Sequence, residues 1–234
     1  MVLRGRISTQ EDGLTISTRA MVTQIHIMKT HTDNIANFGV PGYQSKEPVL
    51  TTFVEHLGPS GVDEVVNKEV GRLRVTGNPL DTALTVPGYF QRLNKAGNVE
   101  LSRDGRFRLD KDGNLLSVDN KPVLSNTGVP IQLPFIPMDI KKQLNVSRNG
   151  QIQLLDLKTG STINVARLGI VNPEGTVLTD VDVAQNYVED SNVYLQKEYT
   201  GIMPLRRQFE ANRQLFLVQS DALSRMIQDL SRGS

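Results

Sequence analysis

The chain contains no cysteine and no tryptophan among its 234 residues, and only three histidines. Without cysteine there are no disulfide frameworks, no zinc–thiolate sites and no thiol nucleophiles. An excess of one charge is also missing. Lys+Arg number 26 against 25 Asp+Glu, a net charge of +1, so no global field favours nucleic acid or an anionic membrane. No apolar run reaches the roughly 18 residues a transmembrane helix needs, which argues against direct membrane insertion. The basic start, Met1-Val2-Leu3-Arg4-Gly5-Arg6, leads into polar Ser8-Thr9-Gln10-Glu11-Asp12 and not into the apolar core of a cleaved secretory signal. If the protein leaves the cytoplasm, the expected route needs no cleaved signal peptide.

Catalytic handles are equally sparse. His26 and His31 lie five residues apart, off the i, i+4 spacing that puts two metal ligands on one helix face, and His56 stands alone. Gly-x-Ser-x-Gly, Walker and Gly-x-Gly-x-x-Gly patterns do not occur. Asp110-Lys111-Asp112-Gly113-Asn114 has its glycine too early for a calcium loop and no closing glutamate, so a hairpin turn is the better reading. The expectation is a non-enzyme with no cofactor, no metal and no catalytic residue.

What is present is pattern. Glycine and proline are absent between Gly13 and Asn37, while Leu14, Thr18, Met21, Ile25, Met28, Thr32 and Ile35 recur at alternating steps of four and three. This spacing predicts an N-terminal helix with a seam on one face. Asn37, Gly39 and Pro41-Gly42 end it, with Asn and Gly suited to left-handed backbone at a helix exit. From about Ala184 onward, Leu195, Ile202, Phe209, Phe216, Leu223 and Leu230 are spaced by seven, supplemented by Leu205 and Met226. A long C-terminal helix is predicted, kinked or restarted near Gly201 and Pro204.

The middle carries turn signals at Ala96-Gly97-Asn98, Asp112-Gly113-Asn114, Asn149-Gly150-Gln151 and Glu174-Gly175-Thr176, each followed by an alternating or apolar stretch. Short strands are expected at 71–75, 83–86, 90–93, 107–109, 115–117, 152–155 and 165–170. The four turn glycines are unevenly spaced, against a solenoid or propeller. Arg103, Arg106 and Arg108 are expected near one face, a solvated or subunit-facing edge, with Arg103 read either as a solvated turn charge or as an interface ion pair.

Five blocks in order resemble the bacterial flagellar rod and hook axial proteins. Asp33-Asn34-Ile35-Ala36-Asn37-Phe38-Gly39-Val40-Pro41-Gly42-Tyr43 resembles the family's signature after its N-terminal helix. Thr76-Gly77-Asn78-Pro79-Leu80-Asp81 with Gly88-Tyr89-Phe90 is similar to its Gly-Asn-Pro-Leu-Asp and Gly-Phe-Phe block, and Ser102-Arg103-Asp104-Gly105-Arg106-Phe107 to its Thr-Arg-Asp-Gly-x-Phe block. Val188-Glu189-Asp190-Ser191-Asn192-Val193 and Arg207-Gln208-Phe209-Glu210-Ala211-Asn212 resemble two blocks near the family's C-terminus. Gly201 and Pro204 stand where the family usually has uninterrupted helix.

The resemblance implies an α+β fold in which N- and C-terminal helices form a coiled-coil-like layer flanking a mainly antiparallel β domain. The corresponding division is a leader at 1–12, helix and exit motif at 13–43, a connection at 44–70, the β domain at 71–183 and the C-terminal helix at 184–234. It implies a structural subunit of the basal-body rod, of proximal or distal type, with the lean connection nearer the proximal. Its implied setting is the basal body across the periplasm or cell envelope. Its implied partners are copies of itself, other rod and hook-basal-body proteins and the flagellar export apparatus. The expected assembly residues are Leu14, Met21, Ile25, Met28, Asn34, Ile35, Asn37, Phe209, Asn212, Phe216, Leu223 and Leu230. The composition alone also admits a monomeric β-rich binding or enzymatic domain capped by its terminal helices.

Overall fold

The structure, a computed structural model, describes residues 13–50, 62–134, 139, 143–157 and 159–232. The leader expected at 1–12 and His56 lie outside the described residues. The chain divides into two compact units, one made of the terminal helices with the segment Lys46–Val66, the other of Asn37–Ser45 and Asn67–Val193.

In the first unit, α1 runs over Gly13–Ala36 and α2 over Leu195–Arg232. The segment expected to be a plain connection contains an antiparallel hairpin, β1 (Lys46–Leu50) with β2 (Val62–Val66), in the register Lys46 opposite Val66 and Pro48 opposite Glu64. The C-terminal helix starts at Leu195, the first residue of its seven-residue repeat and not at about Ala184 as expected, because Ala184 and Gln185 belong to a strand. It runs as one helical element with Pro204 inside it, so the chain does not restart there.

The second unit holds β3 (Leu73–Val75), β4 (Thr82–Leu84), β5 (Tyr89–Leu93), β6 (Val99–Ser102), β7 (Phe107–Leu109), β8 (Leu115–Ser117), β9 (Leu144–Val146), β10 (Gln151–Leu155), β11 (Thr162–Arg167), β12 (Ile170–Val171), β13 (Val183–Gln185) and β14 (Tyr187–Glu189). Every strand pairing among the described residues is antiparallel, and the outermost ones are nested. β3 pairs with β14, β4 with β13 and β5 with β12, so the segment leaving the unit retraces the one entering it. Inside that closure β5–β6, β7–β8 and β9–β10–β11 pair locally. The core gathers the inward residues of these strands, with Leu84, Leu154 and Val171 wholly buried and the rings of Phe90 and Phe107 edge to face at 5.3 Å.

One turn chemistry recurs through this unit. In residues 94–98, 110–114, 117–121, 125–129, 147–151 and 172–176, the first residue donates its backbone N–H to the carbonyl of the fifth. Its Asn, Asp or Ser side chain accepts the N–H of the fifth in return. The fourth residue is left-handed: Gly97, Gly113, Asn120, Gly128, Gly150 and Gly175, with φ between 64° and 84°. A side-chain acceptor at the first position and tolerance of positive φ at the fourth are what such a turn requires.

Candidate assembly surface

The helices of the first unit pack on one another in antiparallel order. A Cβ on Gly13 would meet the Gln219 side chain, and one on Gly201 would meet the His31 ring. The α1 face turned inward consists of Gly13, Ser17, Ala20, Gln24, Ile27, His31 and Asn34, none of them exposed. This is the expected four-and-three ladder displaced by one residue. Of the predicted seam, Thr18, Ile25 and Thr32 are exposed, and Leu14, Met21, Met28 and Ile35 are half-buried along its flank. The buried residues of α1 are all polar, Ser17, Gln24, Thr30 and Asn34. The Ser17 hydroxyl donates to the Gly13 carbonyl four residues back, which satisfies it within the helix and lets the backbone approach a neighbour, whereas the single Thr30 hydroxyl proton is shared between the His26 carbonyl at 3.2 Å and Glu64. No amphipathic rule selects that face; the apolar stripe lies one position round the helix.

On α2 the inward ladder is Glu198, Ile202, Leu205, Phe209, Asn212, Phe216 and Gln219, again at four and three, so the predicted Phe209, Asn212 and Phe216 all belong to it. The ladder continues at Leu223 and Leu230, and these are exposed, 48% and 69%, as are Met226 and Ile227 beside them. At the hairpin end, the Asn34 amide grips the β1 backbone, donating to the Lys46 carbonyl at 2.8 Å and accepting the Lys46 N–H at 2.9 Å. Asn34, expected in the assembly surface, is fully buried with its amide bound inside the chain. Glu64 accepts from the Lys46 ammonium at 2.7 Å and the Thr30 hydroxyl at 3.0 Å. The Lys46 hydrogen bond holds the Glu64 carboxyl below its ordinary value against a smaller opposing effect of burial, and Thr30 adds to the lowering.

The second unit places residues of four of the five motif blocks around one buried ion pair, the fifth block, Arg207–Asn212, lying on α2. Arg103 is neither a solvated turn charge nor an interface partner. Its side chain and that of Glu189 are 1% and 2% exposed, with Nη2 and Oε2 2.7 Å apart and Nε 2.9 and 2.8 Å from the two carboxylate oxygens. The remaining guanidinium donors reach the carbonyls of Leu84, Val86 and Gly88, and Glu189 Oε1 also accepts the Gly71 N–H at 2.8 Å. Every guanidinium proton and both carboxylate oxygens of a costly buried pair thus have partners. The three arginines do not share a face: Arg103 points inward, Arg106 is half-buried and bound to Asp104 at 2.7 Å, and Arg108 is exposed.

Neighbouring motif residues complete the frame. The Gly42 N–H donates to the Glu189 carbonyl at 2.8 Å. Gly42, at φ 69°, is the left-handed residue of the helix-exit motif; Asn37 and Gly39 were expected in that role and do not take positive φ. Asn192 accepts the Ser45 N–H at 2.6 Å and donates to the Asn67 and Glu69 carbonyls at 3.1 and 2.9 Å, joining three separated stretches. A Cβ on Gly105 would lie 1.8 Å from the Thr82 carbonyl oxygen, and one on Gly71 would lie 2.0 Å from that of Asp190. Glu189 and Asn192 stood in a quoted block yet outside the predicted site. A buried ion-pair partner leaves no periodic signal in a sequence.

Among the described residues no helix is long and apolar enough to cross a membrane. Residues 83–154 match the family described as the flagellar hook protein FlgE/F/G D1 domain. The chain is 30% identical to the flagellar basal-body rod protein FlgF of Mesorhizobium japonicum, over 96% of this chain and 100% of that protein. It is 28% identical to the FlgF of Rhizobium meliloti, over 94% and 98% of the two chains, and 24% identical to the rod protein FlgG of Agrobacterium fabrum, over 90% and 96%. With a buried frame built from the motif blocks and end-to-end similarity to these relatives, the chain belongs to the family of flagellar basal-body rod proteins.

Proposed function

We propose that the chain is a non-enzymatic structural subunit of the flagellar rod, stacking with copies of itself and with other rod and hook-basal-body proteins to build the shaft that transmits torque for motility. Its terminal helices form the coiled-coil-like inner layer and its β unit the outer one. It reaches the basal body, across the periplasm or cell envelope, through the flagellar export apparatus and without a cleaved signal. Similarity to named rod proteins along nearly the whole chain supports this reading.

The observation that carries it is where the apolar surface lies. The buried residues of α1 are polar, while Ile16 and Ile25 on α1 and Leu215, Leu217, Val218, Leu223, Met226, Ile227 and Leu230 on α2 remain exposed. A helix pair that left this much apolar surface in water would be poorly stabilised by itself. Each side chain among Leu223, Met226, Ile227 and Leu230 that a neighbouring subunit buried would contribute about 1.5–3 kcal/mol, less the ordering costs of association. Heterologous, non-closing contacts of that kind generate a helical assembly.

Electron microscopy of purified basal bodies carrying a labelled copy of this chain tests the assignment. Label confined to the rod supports it. Label absent from basal bodies while the chain accumulates in the cell refutes it.

A further inference from the structure

The helix ladders raise a question of register. Both inward faces repeat every seven residues, so α2 can slide by one heptad along α1 and present a similar apolar pattern. Exposed Ile16 and Ile25 cannot resolve this, and the buried amide oxygens Gln24 Oε1 and Gln219 Oε1 have no hydrogen-bond partner.

At one level the match is specific. His31 Nδ1 stands 2.6 Å from Glu198 Oε2, with side chains 14% and 5% exposed. Beside them the missing side chain of Gly201 makes the room for the imidazole. A Cβ there would come within 2.7 Å of ring Cε1 and 2.8 Å of Nε2. Displacing α2 by seven residues puts Leu205 where Glu198 was and Gln208 where Gly201 was, so the imidazole loses its acceptor and meets a side chain. The opposite displacement brings up Ser191 and Tyr194, which precede the helix.

We infer that His31, Glu198 and Gly201 form a register lock, a polar socket that fixes the antiparallel alignment of α1 on α2. A single buried polar contact setting the register of an otherwise degenerate heptad pattern is the best-attested use of such groups. Gly201, a helix-weakening residue, is kept in α2 by the volume of His31. The lock concerns one chain and stands apart from the rod assignment.

The absence of cysteine makes the test direct. Three full-length double-cysteine variants are oxidised as dilute monomers and followed by gel mobility: Gly13→Cys with Gln219→Cys for the observed register, and Gly13→Cys with Met226→Cys or Asn212→Cys for slips of one heptad. The observed pair should close at least about tenfold faster than either slipped pair, the equivalent of one decade in population. With Glu198→Leu and Gly201→Ala combined, either register sets a leucine and a side chain against His31, and the 13/226 pair should rise to a rate comparable with 13/219. Glu198→Gln, which retains an acceptor, should keep the original preference. An unchanged preference for 13/219 in the Glu198→Leu, Gly201→Ala double variant overturns the lock. So does uniform loss of all three crosslinks, which marks the contact as adhesive and not as register-setting.

Discussion

The guanidinium of Arg103 and the carboxylate of Glu189 meet at 2.7 Å with both side chains almost wholly out of water. They bring together two blocks far apart in the chain. Removing either partner leaves a buried charge uncompensated, so Arg103→Ala and Glu189→Ala should each destabilise the β unit by about 3–5 kcal/mol, measured by denaturant unfolding of the full chain. The hydrophobic pair Arg103→Met with Glu189→Leu should recover only part of this. Arg103 also satisfies the Leu84, Val86 and Gly88 carbonyls and Glu189 the Gly71 N–H, and those groups would stay buried and unpaired.

Two glycines of the motif blocks should behave oppositely. Gly105→Ala forces a methyl to 1.8 Å from the Thr82 carbonyl and to 2.8 Å from the Phe90 ring, and the strand contact must open, at about 1–3 kcal/mol or more. Gly39 has open space around its Cβ position and no positive φ, so Gly39→Ala should be neutral or stabilise by up to about 1 kcal/mol through the unfolded chain. Thermal unfolding of the two variants side by side checks the contrast.

Asn192→Asp keeps the acceptor for the Ser45 N–H and removes both donors to the Asn67 and Glu69 carbonyls. Each carbonyl left unpaired should cost about 1–3 kcal/mol, and a carboxylate oxygen facing them adds repulsion. Asn192→Asp should therefore be the more harmful of two isosteric changes when set against Asn192→Leu. Chemical denaturation with matched slopes decides it.

Acidification should loosen the hairpin. The folded Glu64 carboxyl is held below its ordinary value by Lys46, so its contribution is present above that value and is lost as pH falls through the lowered one. The pair is partly exposed, so the effect is modest and weakens with salt. Nuclear magnetic resonance shifts of the Lys46 and Glu64 amides should titrate together at acid pH in the wild type, and the Lys46 shift should stop responding in Glu64→Gln.

Much of this architecture was legible beforehand, for identifiable reasons. The four turn glycines all adopt positive φ, because that requirement is local and glycine advertises it. Strands at 107–109 and 115–117 fall where expected since a short hairpin fixes its own register. Ser117 with Asn120 and Ser125 with Gly128 make the same turn without a loud signal: one uses asparagine in place of glycine, and both use serine as the acceptor. Residues Ala184, Gln185 and Tyr187–Glu189 fall in the stretch expected to be helix, because the pairing of their strands with β4 and β3 is a long-range fact.

The helix faces show the limit most clearly. Hydrophobic periodicity located α1 but put its seam one residue from the inward face, since Ser17, Gln24 and Asn34 are chosen for close packing and hydrogen bonding, not for hydrophobicity. On α2 the inward face carries Ile202, Phe209 and Phe216, and there the period of seven marks it well. Arg103 illustrates the same limit in the β unit: its burial depends on Glu189, which no local pattern announces.

The central claim is that the frame residues hold the subunit together while the far end of α2 is left to join its neighbours. Leu223 and Leu230 separate these roles, because both are largely exposed in the single chain. The deciding measurement is incorporation of a Leu223→Asp, Leu230→Asp double variant into basal bodies, scored alongside its circular dichroism and unfolding midpoint. The account predicts wild-type spectra and midpoint with incorporation lost. Incorporation at the wild-type level would contradict it, and would place the contacts with neighbouring subunits elsewhere on the chain.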